Sequence, residues 1–283
     1  MSETPRFGFV TCVQLGLDVM EEIAEVGGEL DLVITLPDGT AQAKSGRVYL
    51  DDFCDRHGFP LLKSRSVNDD EVVSAIKGAG IDWLFIIGWS QIASGAVLGA
   101  PTRGCIGMHP TLLPEGRGRA SIPWAIIKDL SETGVTMFQL DEGVDTGPIL
   151  AQHRIPLSQD TDATGLYQSV QSAHRQLIRD SWAPLTEGTV NPSPQDPSSG
   201  SFWPGRTPAD GELQPEMTVI EALRLIRATT RPYPGAFWRG QEGVVRVWRA
   251  QECATPSRDN PHFRCSDGFL EATDYEFEAG RDT

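Results

Sequence analysis

One histidine and one aspartate stand where this chain could do acid–base chemistry. His109 lies in Gly107-Met108-His109-Pro110-Thr111-Leu112-Leu113-Pro114-Glu115-Gly116-Arg117-Gly118, directly after an apolar, strand-like run. Asp145 opens Asp145-Thr146-Gly147-Pro148-Ile149-Leu150, just after another such run. Imidazole is the side chain that exchanges protons near neutral pH, and a carboxylate beside it orients the ring and balances its charge. Pro110 and Pro114 stiffen the loop behind the histidine, because proline fixes φ and restricts the residue before it. From the residues alone two readings stay open. One is a catalytic pair; the other is a structural strand-end histidine and an aspartate that only forms its turn.

Bringing two strand ends together takes a scaffold, and the patterning of the chain supplies one. Residues 6–10, 30–35, 60–62, 82–87, 105–108 and 134–138 read as strands. Helical patterns over about 15–26, 48–56 and 69–79 separate the earlier ones. The nearly unbroken apolar run Trp83-Leu84-Phe85-Ile86-Ile87 suits a parallel strand covered on both faces. This alternation predicts an α/β fold, a mostly parallel Rossmann-like sheet flanked by helices, with ligands at the C-terminal ends of its strands. Between 191 and 205 the composition turns to Pro, Ser, Gly and Asp, which is loop chemistry. A helix over 219–229 and strands at 235–238 and 244–248 follow, and the tail to Thr283 is weakly patterned. The expected organisation is a catalytic domain over 1–190, a linker over 191–215 and a small C-terminal α+β domain over 216–283.

Composition narrows the chemistry. Hydrophobic residues at 39% and charged residues at 22% fit a globular chain, and no apolar run approaches the ~18 residues of a membrane span. The first residues lack the basic start and apolar middle of a signal peptide, so a cytoplasmic location is expected. The five cysteines are scattered without a Cys-x-x-Cys pair, and the five histidines show no ligand spacing, so no disulfide frame and no metal is expected. Cys105 reads as a small buried residue. A net charge of −15 weighs against a nucleic-acid substrate, because phosphates are gripped with Lys and Arg, and favours a small molecule.

His-Pro-Thr-Leu-Leu-Pro-x-x-Arg-Gly with Asp-Thr-Gly-Pro-Ile-Leu some 35 residues later resembles the hallmark of the 10-formyltetrahydrofolate-dependent formyltransferases. That family includes methionyl-tRNA, glycinamide-ribonucleotide and amino-sugar N-formyltransferases. The match is close over about 80–160 and loose elsewhere. It implies transfer of a formyl group from 10-formyltetrahydrofolate to an amine. The family's constellation is Asn-x-His plus Asp; His109 and Asp145 match, but the Asn position falls on Gly107. The Asn amide would stabilise a tetrahedral oxyanion, and losing such a donor costs about 10²–10³ in rate. Three accounts follow: Gln91 or Ser90 supplies the donor; protonated His109 and a backbone N–H suffice, with Gly107 making room for a bulkier acceptor; or only folate binding remains.

By the same resemblance the pterin lies between the loops Gly88-Trp89-Ser90-Gln91-Ile92 and Leu140-Asp141-Glu142-Gly143-Val144, leaving Trp89, Ser90, Ile92, Leu140, Asp141, Gly143 and Val144 as its expected contacts. Arg117 orders the His loop or, with Thr111, meets the acceptor. The segments Trp203-Pro204-Gly205-Arg206-Thr207-Pro208-Ala209-Asp210-Gly211 and Arg231-Pro232-Tyr233-Pro234-Gly235-Ala236-Phe237 are similar to enzymes that formylate nucleotide-linked amino sugars, although tRNA formyltransferases carry something close to the second. A small amine of that kind is therefore the expected acceptor, and a homodimer the expected assembly. The alternatives are another amine (in a natural-product or siderophore amino acid, or methionyl-tRNA) and an inert folate binder.

Overall fold

The computed structural model describes residues 4–39, 46–196, 198–240, 243–257 and 260–279. In chain order the elements are β1 (Phe7–Val10), α1 (Gln14–Glu25), β2 (Leu32–Thr35), α2 (Asp51–His57), β3 (Leu61–Lys63), α3 (Asp70–Gly78), β4 (Trp83–Ile86), α4 (Gly95–Leu98), β5 (Gly104–His109), β6 (Arg117–Gly118), α5 (Ser121–Ile127), β7 (Glu132–Gln139), β8 (Ile149–Pro156), α6 (Ala163–Glu187), β9 (Phe202–Trp203), α7 (Val219–Thr229), β10 (Ala236–Gly240), β11 (Gly243–Cys253), β12 (His262–Arg264) and β13 (Phe269–Ala279). The chain clusters into two compact units. One comprises Met1–Arg117, Gly134–Arg154 and Gln171–Ser201; the other Gly118–Thr133, Ile155–Val170 and Phe202–Thr283.

The first unit is built on a seven-stranded sheet of order β3-β2-β1-β4-β5-β7-β8. The pairs β1–β2, β1–β4, β2–β3 and β4–β5 are parallel, as the unbroken apolar runs predict, and each runs between helices. β7 departs from that pattern: it pairs with β5 antiparallel, with Gly107 opposite Phe138 and His109 opposite Thr136. Phe9, Phe85, Ile34, Leu84 and Ile106 fill the core with no measurable exposure. The 25-residue α6 escapes the sequence reading because its apolar positions are sparse, and polar contacts hold much of it. Glu22 of α1, 1% exposed, accepts from Arg179 Nη2 (2.8 Å) and Arg175 Nε (2.9 Å) of α6.

In the second unit a four-stranded sheet of order β10-β11-β13-β12 carries α7 on one face. α7 begins with a reciprocal cap in which Thr218 accepts from the Glu221 N–H while the Glu221 carboxylate takes the Thr218 N–H. Its buried side, Val219, Ala222, Leu225 and Ile226, meets Trp238, Val245, Val247 and Leu270 of the sheet. The weakly patterned tail holds the 11-residue β13, in which Glu276 and Glu278 are exposed and mask the strand in the sequence.

Candidate active site

β5 ends at His109, and both neighbours of the ring are set by the local fold. The His109 side chain is 10% exposed. Its Nε2 lies 2.8 Å from the Gly116 carbonyl oxygen, seven residues on in the same loop. A carbonyl only accepts, so the hydrogen bond places the proton on Nε2 and leaves Nδ1 facing the other way. There Asp145 Oδ2 stands 3.6 Å from Nδ1. That spacing is too long for a hydrogen bond between neutral ring and carboxylate and short enough for a strong Coulomb interaction once Nδ1 is protonated. The two residues proposed from sequence as one pair are thus brought together.

The His loop is pinned from several sides. Thr136 on β7 accepts from the Leu113 N–H (3.0 Å) and donates to the Thr111 carbonyl (2.7 Å). Gln152 on β8 donates to the Leu113 carbonyl (2.8 Å) and to the Thr136 hydroxyl (2.9 Å). Thr111 is 1% exposed, and its backbone serves these contacts. The expectation that it meets the acceptor gives way to a structural place under the loop. Arg117 donates from Nε (3.1 Å) and Nη2 (2.7 Å) to Oε1 of Gln195, which favours loop ordering among the two roles open to it.

Asp145 adopts a left-handed backbone, φ 54°, which Asp tolerates better than most residues. Gly147 beside it allows a close approach: a Cβ there would sit 1.8 Å from the Gln139 carbonyl oxygen. Asp141 starts the same loop as a turn-former, accepting from the Gly143 N–H (3.0 Å) and the Thr146 hydroxyl (2.8 Å).

The position of the missing amide is occupied. A Cβ built at Gly107 would lie 2.7 Å from Leu140 Cδ2 and 3.2 Å from Phe138 Cε1. The expected free space for a bulkier acceptor is therefore absent on that side, because residues of β7 and the turn after it fill it. Gln91, the expected substitute donor, gives its amide to the Arg65 carbonyl (2.8 Å) and accepts from the Val67 N–H (3.0 Å). Ser90 is exposed on the same loop. Cys105 on β5 is buried at 1% exposure, with burial pushing its thiol up to about 12, so it is no nucleophile at neutral pH.

The two loops assigned to the pterin converge. Trp89 and Leu140 pack against one buried cluster with Ile81, Leu84 and Val97. A Cβ at Gly95 would approach Glu142 Oε1 to 3.6 Å. At the rim Ile92 and Val144 are 84% and 54% exposed, large apolar side chains left in water. Among the described residues no three His, Cys, Asp or Glu side chains are grouped to hold a metal ion.

Gln195, Gln152 and the Gly116 carbonyl were not singled out by sequence reasoning. A lone glutamine carries no periodic or spacing signal, and Gln195 sits in the stretch read as linker. In the second unit, the Trp203–Gly211 motif is largely spent on its own turn. The Asp210 carboxylate accepts from the Thr207 N–H and hydroxyl, Arg206 donates to the Asp210 carbonyl, and its guanidinium stacks 4.9 Å from the Trp124 ring.

A sequence profile described as formyl transferase matches residues 23–181. A methionyl-tRNA formyltransferase of Sorangium cellulosum is 35% identical over 180 residues, which cover 64% of this chain and 58% of that protein. One from Ruminiclostridium cellulolyticum is 28% identical over 289 residues, covering 96% of this chain and 92% of the relative. Among solved structures, an N-formyltransferase of Helicobacter canadensis, in complex with folinic acid and dTDP-3-aminofucose, superposes with a TM-score of 0.72 at 16% identity. That match covers 96% of this chain and all of the other.

Proposed function

The chain belongs to the formyl transferase family, and we propose that it transfers a formyl group from 10-formyltetrahydrofolate to the amine of a small acceptor, a nucleotide-linked amino sugar. The observation that carries this reading is the buried imidazole with its Nε2 proton committed to Gly116 and its Nδ1 turned to Asp145. 10-Formyltetrahydrofolate supplies an activated formyl carbon when bound. The residues that fit it are those of the converging loops: Trp89 and Leu140 as an apolar wall, Ile92 and Val144 as apolar groups awaiting cover, and the backbone of 88–92 and 140–144 as donors and acceptors.

The work of the protein is then proton handling and orientation. Nδ1 of His109 would take the proton that the acceptor nitrogen loses when its lone pair goes to the formyl carbon, and would return it to the folate nitrogen as the bond from that nitrogen to the formyl carbon breaks. Asp145 offsets the imidazolium charge that results, and the Gly116 carbonyl keeps the ring from turning over. With no side chain at 107, protonated His109 and a backbone N–H are the proposed stabilisers of negative charge on the formyl oxygen.

The acceptor assignment is supported by the net charge of −15, which opposes the phosphate contacts a tRNA requires. Methionyl-tRNA is the second reading, favoured by the names of the two sequence relatives. Incubating the enzyme with 10-formyltetrahydrofolate and a panel of nucleotide-linked amino sugars, hydroxylated ornithine and methionyl-tRNA, with product mass as readout, decides between them. Formylation of an amino sugar alone is expected. His109→Ala should reduce it by about 10²–10⁴-fold. If no amine in the panel brings about tetrahydrofolate release, in a protein that still binds folate, the transferase reading is overturned.

A further inference from the structure

We infer that Gln195 is a positioning residue for the transfer site, joining the loop that carries His109 to the loop that carries Asp145. Its amide has one carbonyl oxygen and an NH2 with two donors, and all are used. Oε1 accepts from Arg117 Nε (3.1 Å) and Nη2 (2.7 Å). Nε2 donates to the Asp145 carbonyl (2.9 Å) and the Gly147 carbonyl (2.7 Å). The orientation of the amide is dictated by its partners, since a guanidinium only donates and a carbonyl only accepts.

The consequence is a closed circuit around the reacting groups. The His109 ring is held by Gly116, the residue before Arg117. Arg117 is held by Gln195, and Gln195 holds the carbonyls of Asp145 and Gly147, the residues on either side of Thr146. Asp145 in turn faces Nδ1 across 3.6 Å. Asp145 stands in a left-handed backbone, a conformation that persists where surrounding contacts over-determine it. Two of those contacts come from one side chain in a segment without regular structure. The circuit sets the Nδ1–carboxylate spacing, which the pair itself does not fix through a hydrogen bond. The hydrogen bonds of Gln195 go to Arg117, Asp145 and Gly147, none of them assigned to the pterin, so its loss should alter turnover and leave binding alone.

This inference rests on the formyl-transfer reading for its kinetic test. Gln195→Ala is expected to lower kcat about 10–100-fold, the scale of a sub-ångström to 1 Å misplacement of a reacting group. KM for both substrates and affinity for 5-formyltetrahydrofolate should stay within about threefold of wild type. Gln195→Glu keeps an acceptor for Arg117 and loses the donors to Asp145 and Gly147, so it should fall as far as Gln195→Ala. A kcat within twofold of wild type in Gln195→Ala overturns the inference, as does a fall in folate affinity in step with kcat. A second readout needs no turnover: the ring-nitrogen chemical shifts of His109. Wild type should show the Nε2–H tautomer alone and Gln195→Ala a mixture, whereas superimposable spectra overturn the positioning role. If wild type formylates no amine while these spectra differ, the functional reading fails and the inference stands.

Discussion

At the scale of single residues, the informative departure is Gly107. Leu140 Cδ2 and Phe138 Cε1 crowd the place where its Cβ would be, so the missing amide has been traded for apolar packing between β5 and the strand antiparallel to it. Adding a methyl group there forces Leu140 to shift, and overpacking of a well-filled site costs about 1–3 kcal/mol. Because the nearest atom is the end of a side chain that can turn, we expect Gly107→Ala at the low end, about 1 kcal/mol. Leu140→Ala in the same chain should recover part of that loss. Chemical denaturation of the two single variants and the double, taken as a cycle, checks it. A coupling below about 0.5 kcal/mol would mean that Leu140 is not what fills the space.

At the scale of elements, the loops after β4 and β7 carry the proposed cofactor contacts. Ile92 and Val144 gain less from folding than buried apolar residues do, since 84% and 54% of their surface stays exposed. Their benefit must come from something they cover, at about 0.8 kcal/mol per buried methylene. Ile92→Ala and Val144→Ala should each weaken 5-formyltetrahydrofolate binding by about three- to tenfold, with no change in melting temperature. Calorimetric titration beside a thermal melt tests this. Unaltered affinity in both variants would move the cofactor away from these loops.

At the scale of the whole molecule, the Glu22 cluster that joins α1 to α6 responds to pH. Burial alone would raise the Glu22 carboxyl, but hydrogen bonds from Arg179 and Arg175 outweigh it and hold the group below its usual range. A depressed carboxyl stabilises the fold fully above its unfolded value of about 4.3, and that contribution disappears as pH falls through the lower folded value. Glu22→Gln should therefore cost about 1–3 kcal/mol at pH 7 and show a shallower acid limb than wild type below about pH 4.3. Urea unfolding across pH 3–7 measures both. Parallel acid limbs would show that another carboxylate governs the loss.

The sheet was legible in the sequence because buried parallel strands are apolar almost throughout, as β1, β2 and β4 are with Thr35 of β2 excepted. The pairing of His109 with Asp145 was legible through the resemblance to a family motif, since the residues alone left a structural histidine and a turn-forming aspartate open as well. α6 and β13 were not, because their polar positions are stabilised by partners distant in the chain: Arg175 and Arg179 meet Glu22 153 and 157 residues away. The same holds at the site. The chain by itself determined which groups could exchange a proton. Only the tertiary structure decided which ring nitrogen carries it, what fills the side of Gly107, and that Gln195, from a stretch composed like a linker, reaches 78 residues back to Arg117 and 50 to Asp145. Hydrogen-bond direction and steric overlap depend on where atoms lie in space, and no local pattern of residue types encodes them.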